Sequence, residues 1–108
     1  MATTHNNPLI GKWKIVEMEK WDQHFVDLEV PGHFTFKQGN VGEFQFGMVQ
    51  GELDCCVQDN RIEFSWTGSD DADEASGRGW VELVDGELRG RIFIHFGDNS
   101  AFRAVKFR

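Results

Sequence analysis

Trp80-Val81-Glu82-Leu83-Val84-Asp85-Gly86-Glu87-Leu88-Arg89-Gly90-Arg91 decides the fold. Asp-Gly between two alternating apolar runs is a two-residue hairpin signal, because both turn positions favour positive φ. The turn sets Leu83 opposite Leu88, Glu82 opposite Arg89 and Trp80 opposite Arg91. The last two pairs share the outer face, which predicts a salt bridge and a cation–π contact there. Downstream, Ile92, Ile94 and Phe96 alternate inward. A loop at Gly97-Asp98-Asn99 predicts Ile94 opposite Phe102 and Ile92 opposite Ala104.

The same period-two pattern extends upstream. Ile62, Phe64 and Trp66 share one face after a turn at Asp59-Asn60. A bend at Gly51 leads into Leu53, Cys55 and Val57. Phe44, Phe46 and Met48 alternate with polar residues, as do Phe34 and Phe36. A loop at Gly39-Asn40-Val41 predicts Phe36 facing Phe44 and Phe34 facing Phe46, aromatic pairs that stabilise a sheet. Gly68 to Ser76 is strongly polar and reads as a loop.

The first strand is expected from Leu9 to Trp21. Trp13 and Ile15 share one parity, Val16 and Met18 the other, so a bulge or sharp bend interrupts it. Asp22 is a good helix N-cap, and Phe25 and Leu28 lie three apart. One or two helical turns near residues 22–28 follow, stopped by Pro31-Gly32, with an extended loop as the alternative.

No strand–helix–strand pattern occurs, and short local turns join every strand. The expected class is all-β: an antiparallel up-and-down barrel, or strongly curled meander, of about seven or eight strands, whose closure removes exposed edges. Residues 1–8 read as a flexible lead-in and 9–108 as a single barrel domain.

The core material is ten Phe and four Trp with no Tyr. A barrel of this size either fills with side chains or holds one small ligand. So many large rings in 108 residues favour a mostly filled barrel with a residual pocket near one mouth. Its expected lining is Phe36, Phe44, Phe46, Phe64, Trp66 and Phe102.

Gly11-Lys12-Trp13 at the start of the first strand, ahead of an antiparallel meander, resembles the opening of lipocalin and wider calycin barrels. In that superfamily the Trp plugs one barrel end and an Arg from the last strand packs over its ring. The resemblance implies that part for Arg103 or Arg108, a structural Trp13, and a cup for a small apolar ligand. No C-terminal helix follows the last strand, unlike typical lipocalins. The segment Trp21-Asp22-Gln23-His24-Phe25-Val26-Asp27-Leu28-Glu29-Val30-Pro31-Gly32 is similar to small bacterial lipocalin-like proteins.

A net charge of -7 argues against nucleic acid and anionic membrane surfaces, which call for Lys/Arg clusters. Met1 to Asn7 lacks the apolar core of a signal peptide. Adjacent Cys55 and Cys56 point to opposite faces of a strand, form no disulfide framework and suit a reducing compartment, so a cytoplasmic location is expected. No cofactor or metal motif is present.

Other candidates have plainer readings. His5 lies in the lead-in, and His33 and His95 fall on outward positions. His24 sits beside Asp22, Asp27 and Glu29, a set that suits a general base but equally a solvated, capped turn. Asp70-Asp71-Ala72-Asp73-Glu74 lacks the ligand spacing of a calcium loop. Asp54 would raise a neighbouring thiol pKa, which disfavours a cysteine nucleophile. The leading expectation is a non-enzymatic barrel binding a small apolar or aromatic ligand. The alternatives are a protein–protein module, possibly homodimeric through Trp80 and Phe93, and an enzyme centred on His24.

Overall fold

The computed structural model describes residues 7–107. Its elements are β1 (Gly11–Met18), α1 (Gln23–Val26), β2 (His33–Lys37), β3 (Val41–Phe46), β4 (Val49–Gln58), β5 (Arg61–Asp70), β6 (Asp73–Val84), β7 (Glu87–Ile94) and β8 (Asn99–Lys106). The eight strands form a closed barrel in sequence order, every neighbour antiparallel. One end carries the β2–β3, β4–β5 and β6–β7 turns. The other carries α1 and the three remaining turns. His5 and Arg108 lie outside the described residues, as does most of the expected lead-in.

The hairpin at Asp85-Gly86 has the expected register, with Leu83 opposite Leu88 and Trp80 opposite Arg91. The turn at Asp59-Asn60 also stands, with Asp59 at φ 52°. The parity switch in β1 is a bulge: its ladder with β8 steps from Ile15↔Ala104 to Glu17↔Arg103, leaving Val16 unpaired. Trp13, Ile15 and Met18 are therefore all buried. Asp22 caps α1, its Oδ1 accepting from the Phe25 amide at 2.9 Å.

Four of the expected turns and loops are corrected. The β2–β3 loop is Gln38–Asn40, so Phe34 faces Phe44 and Phe36 faces Gly42. Gly39 and Asn40 take positive φ, which the β-branched Val41 avoids by starting the strand. The next turn is Gly47-Met48 rather than a bend at Gly51, which lies inside a straight run of ladder pairs. Gly47 has φ 57°, and the Phe25 ring occupies the space a Cβ would need.

The acidic stretch 68–76 is strand for most of its length, turning at Asp71-Ala72. Asp tolerates the left-handed conformation that Asp71 adopts at φ 60°. Both faces of this tip are largely solvated, so no apolar alternation marks it.

Finally, the β7–β8 turn spans His95–Asp98, placing Ile92 opposite Ser100 and Phe102 opposite Gly90. The space beside Gly90 lets the Phe102 ring reach inward. Phe96 does not point inward but is 98% exposed.

The outer-face contacts differ in partner. Glu82 is flanked by Arg61 and Arg89 in register, and Arg61 takes it at 2.6 Å. From the diagonal position, Arg61 also lies 4.4 Å from the Trp80 ring centre. Arg89 turns to Glu87, and Arg91 to Glu19.

Candidate functional site

The barrel interior is packed. Phe34 stacks on Phe102 at 4.6 Å and on Phe44 at 5.2 Å, and tilts against Phe64. Phe44 meets Trp66 edge-on at 5.0 Å. Side chains cover part of each end. At one, Leu9 and Trp13 are buried, and the Trp13 indole donates to the Leu9 carbonyl at 3.0 Å. At the other, Trp21 packs on Phe46 and Phe25, and Val26 of α1 is fully buried.

The cation over Trp13 is Lys106, 4.6 Å from the ring centre, its ammonium donating to the Ile10 carbonyl at 2.8 Å. Arg103 instead binds Glu17 and Glu87 on the outer surface. Among the described residues, the cation over Trp13 is thus Lys106 and not Arg103.

All six residues expected to line a ligand cup are buried: Phe36, Phe44, Phe46, Phe64, Trp66 and Phe102. Phe36 also borders a pocket of about 160 Å³ at the end that carries the β2–β3 and β4–β5 turns, with Ile10, Val41, Cys55, Val57 and Ile62 on one side and Asn7 and the polar β2–β3 loop on the other. Val41 and Val57 leave 47% and 39% of their surface exposed there. The sequence missed them because they come from strand ends that only the β3–β4–β5 register brings together.

The Cys55 thiol is half-buried at this pocket, and Cys56 is exposed; both are free. Burial, then the Asp54 carboxylate, pushes Cys55 up to about 11. Its thiolate is therefore scarce at neutral pH. With iodoacetamide at pH 7.5, mass spectrometry of peptides should find Cys56 modified first and Cys55 at least about tenfold slower. Equal rates would show that the Cys55 side of the mouth is open to solvent.

His24 is exposed and borders neither this pocket nor the larger concavity on the outer sheet face. Its neighbours are engaged in structure. Asp22 caps the helix, and Asp27 accepts from the Gly32 amide at 2.8 Å and from Gln23 at 3.1 Å. Burial works to raise the Asp27 pKa, but these hydrogen bonds and Lys14 outweigh it and hold the carboxyl below its usual range. No group of three His, Cys, Asp or Glu suited to a metal occurs among the described residues. No helix among them is long and apolar enough to cross a membrane. Trp80 and Phe93, the aromatic row expected at a dimer surface, are roofed by the guanidinium groups of Arg61 and Arg78.

A second concavity, of about 890 Å³, lies on the outer sheet face toward the α1 end, with Phe96 at its rim. Fold and surface together define a closed eight-stranded up-and-down barrel with a filled interior, a small apolar mouth and a polar external groove. Comparison of the chain with protein-family models, with curated proteins and with solved structures returns no match.

Proposed function

We propose that this protein is a non-enzymatic binding barrel that takes a small apolar or aromatic ligand at the mouth bordered by Phe36, Val41, Val57 and Ile62. The observation that carries the reading is the pocket of about 160 Å³ with two valines exposed beside it. Apolar cavities of about 150 Å³ accommodate a benzene-sized ring. Burying about 150 Å² of aromatic surface at about 25 cal/mol per Å² contributes at most roughly 4 kcal/mol before the cost of association, which sets the Kd at about 1 mM or weaker. The Gly-x-Trp opening, with Lys106 over Trp13, supports a calycin-like reading in which the cup is reduced to its mouth.

Toluene titrated into the labelled protein should shift the methyl NMR resonances of Val41, Val57 and Ile62, while those of Leu88 and Ile92 stay in place. Val57→Asp puts a charge at the exposed rim and should abolish the shifts without unfolding the barrel. Absence of shifts up to the solubility of toluene, or identical shifts in the variant, would overturn the reading.

A further inference from the structure

The outer surface divides into two unlike halves. Across β5 to β8 and β1, charged side chains are tied to one another: Arg61 to Glu63 and Glu82, Arg103 to Glu17 and Glu87, Arg91 to Glu19. Across β2 to β6, toward the α1 end, one such pair occurs among the described residues, Lys37 with Glu43. The ladder registers align His33, Gln45, Gln50, Ser69 and Glu74 in one row running across five strands. Glu43, Glu52, Thr67 and Ser76 form the next.

These two rows line the groove. In them, His33 contacts the Pro31 carbonyl and Glu43 pairs with Lys37. The other seven side chains have no hydrogen bond or ion pair among the described residues. No Lys or Arg lines the groove, and residues 38–77 contain a single basic residue, Arg61. At the rim, the Phe96 ring is 98% exposed, with His95 against it at 3.9 Å.

We infer that this groove binds a neutral oligosaccharide. A sugar ring presents hydroxyls that each donate and accept, and a C–H face that is apolar. Amides, hydroxyls and carboxylates that lack partners meet the hydroxyls, and each bond formed replaces one to water at a modest net gain. An exposed aromatic ring offers the apolar C–H face a surface to cover. Three carboxylates and no Lys or Arg in the lining make an anionic ligand unfavourable. The volume of about 890 Å³ is in the range of small-molecule sites and suits a short oligosaccharide. The sheet supplies rigidity, since each row is fixed by ladder bonds on both sides.

The test is titration calorimetry of the full chain with neutral gluco-, xylo-, manno- and galacto-oligosaccharides, and with a Lys-rich peptide. At least one sugar series should bind. Gln50→Ala and Phe96→Ala, both at exposed positions, should each weaken that binding by about three- to tenfold. Asp85→Asn, which removes a charge from the opposite end of the barrel, should leave it unchanged. Val57→Asp should leave it unchanged too, which separates this site from the mouth. Binding of no sugar in the panel overturns the inference. So does binding that Gln50→Ala and Phe96→Ala leave intact, or binding of the peptide alone, which would assign the groove to a basic partner.

Discussion

Gly77→Ala should lower the stability of the barrel by about 3 kcal/mol or more, although it adds one methyl group. A Cβ at this position would stand 1.8 Å from the Phe93 carbonyl oxygen and 2.7 Å from the Trp66 indole nitrogen. Those two atoms are hydrogen-bonded to each other at 3.2 Å across the glycine. Relief of the clash must move β7 away from β6 or turn Trp66 out of its site, and Trp66 is 1% exposed. Overpacking then adds to the cost of an indole N–H left buried without a partner. For a domain near 100 residues, about 3 kcal/mol corresponds to a melting temperature lower by roughly 12–24 °C. Gly86→Ala is the matched control. Gly86 has φ 80° but nothing within 4 Å of a Cβ, so only backbone strain of about 1–2 kcal/mol applies. Thermal melts that rank Gly86→Ala as the worse variant would overturn this account of the β6–β7 contact.

The contrast between these two glycines shows what a sequence can carry. Asp85-Gly86 was legible because a turn is local: its conformation depends on its own residues and the alternation beside them. The same holds for Asp59-Asn60, for the Asp22 cap and for the bulge at Val16, whose signal is a parity change within a few residues. Gly77 gave no such signal, because the carbonyl it must avoid belongs to a different strand.

Register failed where the sequence offered two adjacent turn formers or none. Gly47-Met48 was hidden because Met48 continues the apolar alternation begun by Phe44 and Phe46. Phe96 misled in the same way: it keeps the period of Ile92 and Ile94 but sits in the turn at φ 64°, on the surface. The strand content of 68–76 was invisible because a hairpin tip wet on both faces has no apolar period to read. The groove is the same problem at larger scale. Its two rows draw on five strands, and only the ladder registers put Gln45, Gln50 and Ser69 side by side. The scarcity of Lys and Arg over residues 38–77 was the available hint, and it becomes meaningful once those residues prove to share a face.

The aromatic core was legible as a set of residues, but whether it is full depends on one ring. Phe34 is completely buried and stacks on Phe36, Phe44 and Phe102 while tilting against Phe64. No other side chain of the interior makes as many of these aromatic contacts. Phe34→Ala should therefore cost about 3–5 kcal/mol, the range for loss of a buried ring, because rings held in four directions cannot close the gap. Phe96→Ala, which deletes the same atoms from the surface, should change stability by less than about 0.5 kcal/mol. Phe34→Leu should fall between the two, keeping most of the volume while losing the stacking. A hollow barrel predicts another outcome: its rings would have space to rearrange, and the alanine variant would melt close to the parent. The filled barrel makes a second demand. Removing Phe34 opens an apolar space at its centre, and such a space stays dry and admits a small aromatic molecule. Toluene should then raise the melting temperature of Phe34→Ala further than that of the parent. It should also shift resonances of Phe44 and Phe102, which toluene at the mouth leaves unmoved. If the alanine variant is too unstable to purify, the same melts and spectra on Phe34→Leu keep the comparison open, with a smaller gain expected from toluene. Equal toluene effects on parent and variant would mean that the interior already had room, and that Phe34 is not what fills it.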